Sequence, residues 1–492
     1  MSEERSSYRQ IMKATSLFGG VQVFNILMGI IRSKFIAVLL GPAGMGIAGL
    51  LTSTTGLIAS VTNFGLSTSA IKNVAEANGN GNSQRIGVVV SVIKRLVWIT
   101  GLLGTVVTFV LAPFLSRLTF GNPDYTVAFR WVSVTLLFAQ LASGQMVVIQ
   151  GMRKLQFLAK ANIIGSVLGL LVSLPIYYWL GVKGIVPALL VTSALSVLLT
   201  YYFTARISID KVSVSVATIK SEGAGMMKMG FLLSMSGMIG LVTSYILSIF
   251  ISRYGGIAQV GLYNAGFAII NTYVGMIFAA MVTDYFPRLS AVAADNEKSA
   301  VLINQQAEIG ILIIAPVLNI FMVFINVVIT ILYSSKFLPI SGMIQYVALG
   351  IFLKTVSWAM GYMMLAKGDS KIFFYSELLA NIYILLINMI CYRLYGLDGL
   401  GISFFVCYGL GILQGYIILH WKYQFKFNAT FYRIFISQFL LTILCFLLVK
   451  FFAGNLRYII TLPVIVIATI FSLNEFNKKL DIIEFVRSKF NK

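Results

Sequence analysis

Three basic side chains lie inside segments that are otherwise apolar enough to cross a membrane. Arg32 and Lys34 belong to a segment near 14–40, and Lys354 belongs to one near 341–366. Lys34 is about 10 Å from the end of its helix and Arg32 is deeper, because an α-helix rises about 1.5 Å per residue. A charge in hydrocarbon is costly unless it meets a partner or a water-filled cavity. These residues therefore predict a cavity that binds an anion such as a phosphate group.

Lys34 and Lys72 each have a simpler alternative role, whereas Lys354 does not. Lys34 can carry its ammonium to the interface on its long stem. Lys354 lies between Phe352 and Trp358 with no carboxylate three or four positions away, so its partner is expected on another helix or on a ligand. Lys72 closes the second apolar segment, where phosphate binding and an ordinary cytoplasmic position explain it equally well.

Two carboxylates are candidates for an ion-coupling site or for a pair with a cavity cation. Glu377 lies about one turn into the segment near 372–394, and Asp284 closes the segment near 261–285. Carboxylates near an interface are more often solvated, which ranks Asp284 below Glu377. Coupling to H⁺ or Na⁺ stays open, and no other cofactor is expected. The single histidine, His420, excludes a multi-histidine metal site.

The composition places most of the 492 residues in a membrane, with 58% hydrophobic and 11% charged residues against about a quarter charged in soluble domains. The polar first ten residues and the lack of a cleavage site predict that the first apolar segment is a span and not a signal peptide. We predict fourteen transmembrane helices, since about 20 apolar residues cross the hydrocarbon. They lie near 14–40, 44–67, 88–112, 127–149, 158–180, 183–206, 226–253, 261–285, 307–333, 341–366, 372–394, 399–421, 432–452 and 456–473.

Two glycine turns recur at one offset along the chain. The turn 41–46 is followed 215 positions later by the turn 256–261, and 181–184 is followed by 396–399 at the same offset. One shared offset predicts two copies of a folded unit, which is common among alternating-access transporters. Six helices in each copy make the repeats parallel.

Charge predicts the orientation of these helices. Of the 37 Lys and Arg, 26 fall in segments that are cytoplasmic if the N-terminus is inside, 8 fall outside and three lie in spans. This positive-inside bias predicts cytoplasmic N- and C-termini, and anionic lipid explains the net charge of +21 without a nucleic-acid partner. The predicted fold is all-α and integral to the membrane. Its parts are a six-helix bundle at 1–206, a cytoplasmic linker at 207–225, a second six-helix bundle at 226–421, two additional helices at 432–473 and a basic cytoplasmic tail at 474–492.

Several short motifs resemble those of the Wzx-type flippases, the polysaccharide transporters of the superfamily that includes multidrug and toxic-compound extruders. The motifs are Leu40–Gly46, Phe120–Tyr125, Ser335–Phe337 and Gly361–Lys367, and the likeness runs in order from about 12 to about 425. It is closest to O-antigen and enterobacterial common antigen flippases. Lys34, Lys72, Lys354 and Glu377 match residue types of the common-antigen branch. Arg32 resembles a first-helix arginine of lipid II flippases, whose second-helix arginine has no match here.

The resemblance implies a flippase of the bacterial inner membrane. Its substrate would be an undecaprenyl-pyrophosphate-linked oligosaccharide, moved from the cytoplasmic to the periplasmic leaflet, with membrane lipid and other polysaccharide-assembly proteins as partners. A drug antiporter of the same fold is the main alternative, although it would need acidic cavity residues. An integral-membrane glycan polymerase or glycosyltransferase is a second, but the longest loops, some twenty residues, hold no catalytic constellation.

Overall fold

The computed structural model describes residues 2–210 and 212–480, without the side chains of 2–19, 232, 233, 236, 273 and 480. The described chain is all-α, as predicted, and contains no strand. Its helices are α1 (Ser2–Asn63), α2 (Leu66–Gly79), α3 (Ser83–Val110), α4 (Ala112–Phe120), α5 (Thr126–Gly151), α6 (Leu155–Leu180), α7 (Ile185–Thr204), α8 (Val216–Gly255), α9 (Ile257–Ala291), α10 (Asn296–Leu332), α11 (Ser341–Ala366), α12 (Ser370–Tyr423), α13 (Ala429–Phe451) and α14 (Gly454–Leu480).

Eleven helical stretches of the described chain are long and apolar enough to cross a membrane. Three of them, at 20–63, 155–204 and 370–423, have 44, 50 and 54 residues, respectively. Each is long enough for two crossings, since a crossing needs about 20 residues. These three double segments accommodate the fourteen predicted spans. Helices dominate because a helix pairs every backbone group internally in lipid.

The glycine turns predicted from the repeat share their backbone geometry in pairs. Gly41 has φ 65° and ψ −173°, and Gly256, 215 positions later, has φ 84° and ψ 168°. Gly181 has φ 54° and ψ −132°, against φ 60° and ψ −137° at Gly396. A positive φ strongly favours glycine, which lacks a Cβ. Each pair of glycines therefore has the same type of backbone break, and the duplication of one unit stays a prediction.

The part of the chain that the structure describes packs as two units, the first within 1–264 and 332–334 and the second within 265–331 and 335–492. Helix α8, the first helix of the predicted second bundle, thus belongs to the first packing unit. A Cβ added at Gly230 of α8 would lie 2.4 Å from the carbonyl oxygen of Gly65, so two glycines permit this close crossing. Near the start of α8, Glu222 receives two hydrogen bonds of 2.8 Å from Arg85 of α3. The sequence-repeat boundary at 207–225 stays a prediction.

Helix α14 extends seven residues into the predicted basic tail, as far as Leu480. Positions 481–492 of that tail lie outside the described residues. Side-chain caps fix the starts of α3 and α8, which are predicted to be cytoplasmic. Asn82 accepts from the backbone N–H of Arg85 at 2.9 Å, and Ser215 accepts from the backbone N–H of Thr218 at 3.1 Å. Such caps satisfy backbone donors that a helix leaves free at its N-terminus.

Candidate substrate-binding site

Arg32 lines a cavity of about 500 Å³ within the first unit. Helices α1, α5, α6 and α7 surround this cavity, and the half-buried guanidinium comes from α1. No described lining residue is acidic, so Arg32 gives the described lining a net positive charge. The polar uncharged lining residues are Thr135, Asn162, Ser166, Thr192, Ser193, Ser196 and Thr200.

Several of these hydroxyls donate their own hydrogen to the helix that carries them. Thr192 donates to the carbonyl of Ala188 at 2.7 Å, and Ser193 donates to Leu189 at 2.8 Å. Such back-bonding uses the single hydroxyl hydrogen and leaves oxygen lone pairs available as acceptors. The cavity wall therefore offers acceptors to the hydroxyl groups of a ligand, beside the donors of Arg32.

Two further contacts fix the position of the cavity wall. The guanidinium of Arg32 interacts with the hydroxyl of Tyr177, a side chain that is buried. The hydroxyl of Ser166 donates to Asn25 Oδ1 at 2.9 Å, which ties α6 to α1. Glycines 165 and 169 line the same side of α6 and leave space instead of a side chain. Sequence reasoning found Arg32 but none of the hydroxyl residues, because serine and threonine are common in membrane helices and give no signal by type.

The other basic candidates of the first unit lie away from this cavity. Lys34 is half-buried and is not part of the described lining. Lys72 is exposed on α2, which fits its reading as a cytoplasmic residue. Of the three basic candidates in this unit, only Arg32 belongs to the described lining of this cavity.

In the second unit, Lys354 lies between aromatic rings. Its ammonium is 5.6 Å from the ring centroid of Phe278 and 5.5 Å from that of Tyr408. A cation over an aromatic face gains electrostatic attraction from the ring quadrupole. One turn further along α11, Trp358 packs on Phe278 with a centroid separation of 5.2 Å. The aromatic rings therefore stabilise part of the charge of Lys354. Within the described residues, Lys354 forms no ion pair.

The two candidate carboxylates differ in their surroundings. Glu377 is half-buried in α12 and, in the described part of the chain, has no ion-pair partner. Asp284 is exposed and pairs with Arg288, one turn later on α9, at 3.0 Å. Surface pairs of this spacing contribute little and need no functional explanation. The basic residue four positions after Asp284 was a sequence signal for this pair.

Sequence reasoning missed a buried charged contact that holds the last helices. Glu308 of α10 has 2% of its side chain exposed and receives a hydrogen bond from Lys479 near the end of α14. Beside it, the buried Glu475 of α14 contacts Arg433 at 2.6 Å and Lys478 at 2.7 Å. The Glu308–Lys479 contact joins α14 to α10, and the Arg433–Glu475 contact joins α14 to α13. Glu308 lies at the start of the predicted span 307–333, where a carboxylate is expected to contact water. Its position in the sequence therefore did not indicate burial.

Packing along the membrane segment completes this attachment. Phe352 of α11 contacts Phe435 and Phe439 of α13, with centroid separations of 5.4 Å for both pairs. Asn304 of α10 donates to the carbonyl of Lys426 at 3.1 Å and accepts from the N–H of Asn428 at 3.0 Å, which fixes the loop before α13. The two additional helices are thus an integral part of the second unit. Among the described residues, no group of three His, Cys, Asp or Glu is arranged to hold a metal.

Solved structures share this architecture. The lipid II flippase MurJ in an inward closed conformation has a TM-score of 0.71 at 13% identity, covering 94% of this chain and 99% of that one. An inward-facing multidrug resistance MATE family transporter of the MOP superfamily has a TM-score of 0.62 at 19% identity, covering 81% and 94%, respectively. A MOP superfamily transporter from Pyrococcus furiosus, described by the reverse polarity of its binding pocket, has a TM-score of 0.53 at 16% identity, covering 83% and 95%, respectively. The fold is therefore that of the MOP superfamily transporters.

Sequence comparison then gives the family. The profile of the family described as polysaccharide biosynthesis protein matches residues 35–342, more than half of the chain, and the chain belongs to this family. It is 21% identical over 369 residues to the lipid III flippase of Escherichia coli K12, covering 75% of this chain and 88% of that protein. The protein is a multi-pass protein of the bacterial inner membrane. The likeness to polysaccharide transporters is confirmed at the level of family and fold, and the O-antigen and common-antigen branch stays a prediction.

Proposed function

We propose that this protein is a flippase that moves an undecaprenyl-pyrophosphate-linked oligosaccharide, an O-antigen-type repeat unit, from the cytoplasmic to the periplasmic leaflet by alternating access. The observation that carries the proposal is the cavity of the first unit, in which Arg32 is surrounded by hydroxyl and amide groups and no described lining residue is acidic. The similarity to a protein named lipid III flippase supports the same class of substrate.

The cavity chemistry fits the two polar parts of such a substrate. Arg32 presents a planar donor fork that can bind two phosphate oxygens at once. The back-bonded hydroxyls of Thr192 and Ser193 accept hydrogen bonds from sugar hydroxyls, which are numerous on any oligosaccharide. The polyprenyl chain needs no protein cavity because it stays in the lipid, where its transfer free energy is most favourable.

The second unit offers a different kind of contact. Lys354 supplies a point charge for a phosphate or an acidic sugar, and the flanking rings of Phe278 and Tyr408 offer apolar faces for stacking. Glu377 is the candidate for coupling to an ion, since it is half-buried in α12 and unpaired within the described residues. Lys34, Lys72 and Asp284 have no role in this proposal.

The same fold also hosts multidrug transporters, as the MATE structure illustrates. A cavity for cationic drugs needs a negative charge, because a bound cation must be compensated where the dielectric is low. The described lining of the Arg32 cavity has the opposite sign. Anionic cargo is therefore favoured over cationic cargo.

Flipping in proteoliposomes tests the proposal, with a pyrophosphate-linked glycolipid and a cationic drug as parallel substrates. Arg32→Gln is expected to lower glycolipid flipping about ten- to a hundredfold, because a hydrogen bond to a charged group contributes roughly 1.5–3 kcal/mol. Lys354→Gln is expected to act in the same direction. Lys183→Gln, which removes an exposed lysine, is the control and should flip at the wild-type rate. Wild-type flipping in both Arg32→Gln and Lys354→Gln, or drug transport without glycolipid movement, would overturn the proposal.

A further inference from the structure

A second cavity of the first unit, of about 990 Å³, lies on the other side of α5. Thr135, Ala139 and Met146 of α5 line the Arg32 cavity, whereas Leu141, Gly144 and Val148 line the second one. At 100° per residue these two sets lie on opposite faces of the helix. The second cavity, which we call the α3–α7 groove, shares no described lining residue with the candidate substrate site.

The α3–α7 groove is a trough between two helices that both pack on α5. Its floor is α5, where Gly144 keeps the backbone close to Val97 of α3. Its walls include the apolar side chains of Trp98 on α3 and Leu198 on α7, which are 49% and 65% exposed, respectively. Such a trough fits an apolar chain lying along the helices.

The end of the groove on the predicted cytoplasmic side is polar. The segment after α7 crosses to α3, where the Ser91 hydroxyl donates to the carbonyl of Val212 at 2.9 Å. A Cβ at Gly87 would lie 2.6 Å from the carbonyl oxygen of Asp210, so the segment lies directly on α3 at this level. The exposed side chains of Lys94 and Asp210 both belong to the groove lining, and neither has an ion-pair partner among the described residues.

These groups follow one another along the groove in a fixed order. Lys94 is seven residues beyond Gly87, about 10 Å deeper along the axis and nearly on the same face of α3. Asp210 lies at the level of Gly87, and Val97 and Trp98 lie three and four residues deeper on α3 than Lys94. From the interior outward, the groove therefore presents this apolar pair, then a cation, then a carboxylate.

We propose that the α3–α7 groove binds a zwitterionic aminophospholipid of the cytoplasmic leaflet, with its phosphate on Lys94, its primary ammonium on Asp210 and an acyl chain along Val97 and Trp98. An aminophospholipid presents acyl chain, phosphate and ammonium in the same order. Basic pockets between transmembrane helices on the cytoplasmic side recognise lipid headgroups by this electrostatic principle. The additional carboxylate selects a headgroup that carries an N–H donor over a headgroup that is only anionic.

Native mass spectrometry of the full-length protein in detergent, with lipids added singly, tests this site. The probes are palmitoyl-oleoyl phosphatidylethanolamine, phosphatidylglycerol and phosphatidylcholine. The wild type is expected to retain phosphatidylethanolamine over the other two, since phosphatidylglycerol lacks the ammonium and phosphatidylcholine lacks its N–H. Lys94→Gln should weaken retention of phosphatidylethanolamine about tenfold, through loss of a charge-assisted hydrogen bond. Asp210→Asn should abolish the preference over phosphatidylglycerol.

Arg95→Gln is the matched control, because Arg95 is the exposed neighbour of Lys94 on the same helix and is not part of the groove lining. It should leave the lipid preference unchanged. Both positions are exposed, so neither variant threatens folding. Equal retention of the three lipids by the wild type, or the same loss in Lys94→Gln and Arg95→Gln, would overturn the proposal. Preference for phosphatidylglycerol in the wild type would overturn it as well.

Discussion

Removal of Lys479 tests how the last two helices are held. In the folded protein, Lys479 donates to one carboxylate oxygen of Glu308, and the other oxygen is buried without a hydrogen-bond partner in the described residues. With 2% of its side chain exposed, Glu308 depends on this lysine for compensation of its charge. Lys479→Met therefore leaves a carboxylate in a buried position with no counter-charge.

The magnitude follows from the burial of both partners. Breaking a buried ion pair by removing one partner costs about 3–5 kcal/mol. The side chain of Lys479 is 27% exposed, which lets water reach the pair from one side and favours the lower end of this range, about 3 kcal/mol. Replacing both partners, as in Glu308→Leu with Lys479→Met, removes the uncompensated charge and is expected to restore most of the stability.

Denaturant-induced unfolding of the full-length protein in detergent micelles, followed by tryptophan fluorescence, measures the free energy of unfolding. Lys478→Met is the matched control: its side chain is 63% exposed, and its partner Glu475 keeps Arg433. That variant should lose less than about 1 kcal/mol. Equal effects of the two lysine substitutions would refute the reasoning, as would a double variant no more stable than Lys479→Met.

Two further predictions concern the linker region and the glycine turns. Arg85 holds the pKa of the Glu222 carboxyl below its ordinary value, chiefly through their hydrogen bonds. The ion pair therefore stabilises the fold fully above the pKa that Glu222 has in the unfolded chain. This contribution is lost as pH falls through the lower pKa of the folded protein. Glu222→Gln should flatten the acid limb of Tm against pH, with less than about 1 kcal/mol lost at neutral pH because Arg85 is partly exposed. Gly396→Ala should lower the free energy of unfolding by about 1–2 kcal/mol, because alanine disfavours the positive φ at this position. Gly361→Ala is the control, since an added Cβ has equally open space there and φ is helical, and it should not lower stability. Thermal unfolding distinguishes the two variants.

Much of the fold could be predicted from the sequence because its causes are local. An apolar segment of about 20 residues can satisfy its backbone in lipid only as a helix, so the spans follow from composition. The turns at Gly41 and Gly256 follow from glycine at a fixed offset, and their matching dihedrals have the same origin. Arg32 was predictable as a cavity residue because a guanidinium in an apolar segment needs polar surroundings.

Other features depend on which helices meet. The sequence could not exclude Lys34 and Lys72 as cavity residues, because helix rotation and packing decide which side chains line the cavity. The hydroxyl groups around Arg32 come from three other helices, and their convergence is visible only when α5, α6 and α7 are packed on α1.

The partner of a charge is the clearest case. Asp284 and Arg288 are four positions apart, so one turn of helix determines their contact and the sequence contains it. Glu308 and Lys479 are 171 positions apart, and only the docking of α14 on α10 brings them together. The sequence by itself therefore determined the helices, their breaks and the sign of the charge at Arg32. The tertiary structure decided which polar groups share a cavity and which charges are compensated, because those contacts join residues remote in sequence.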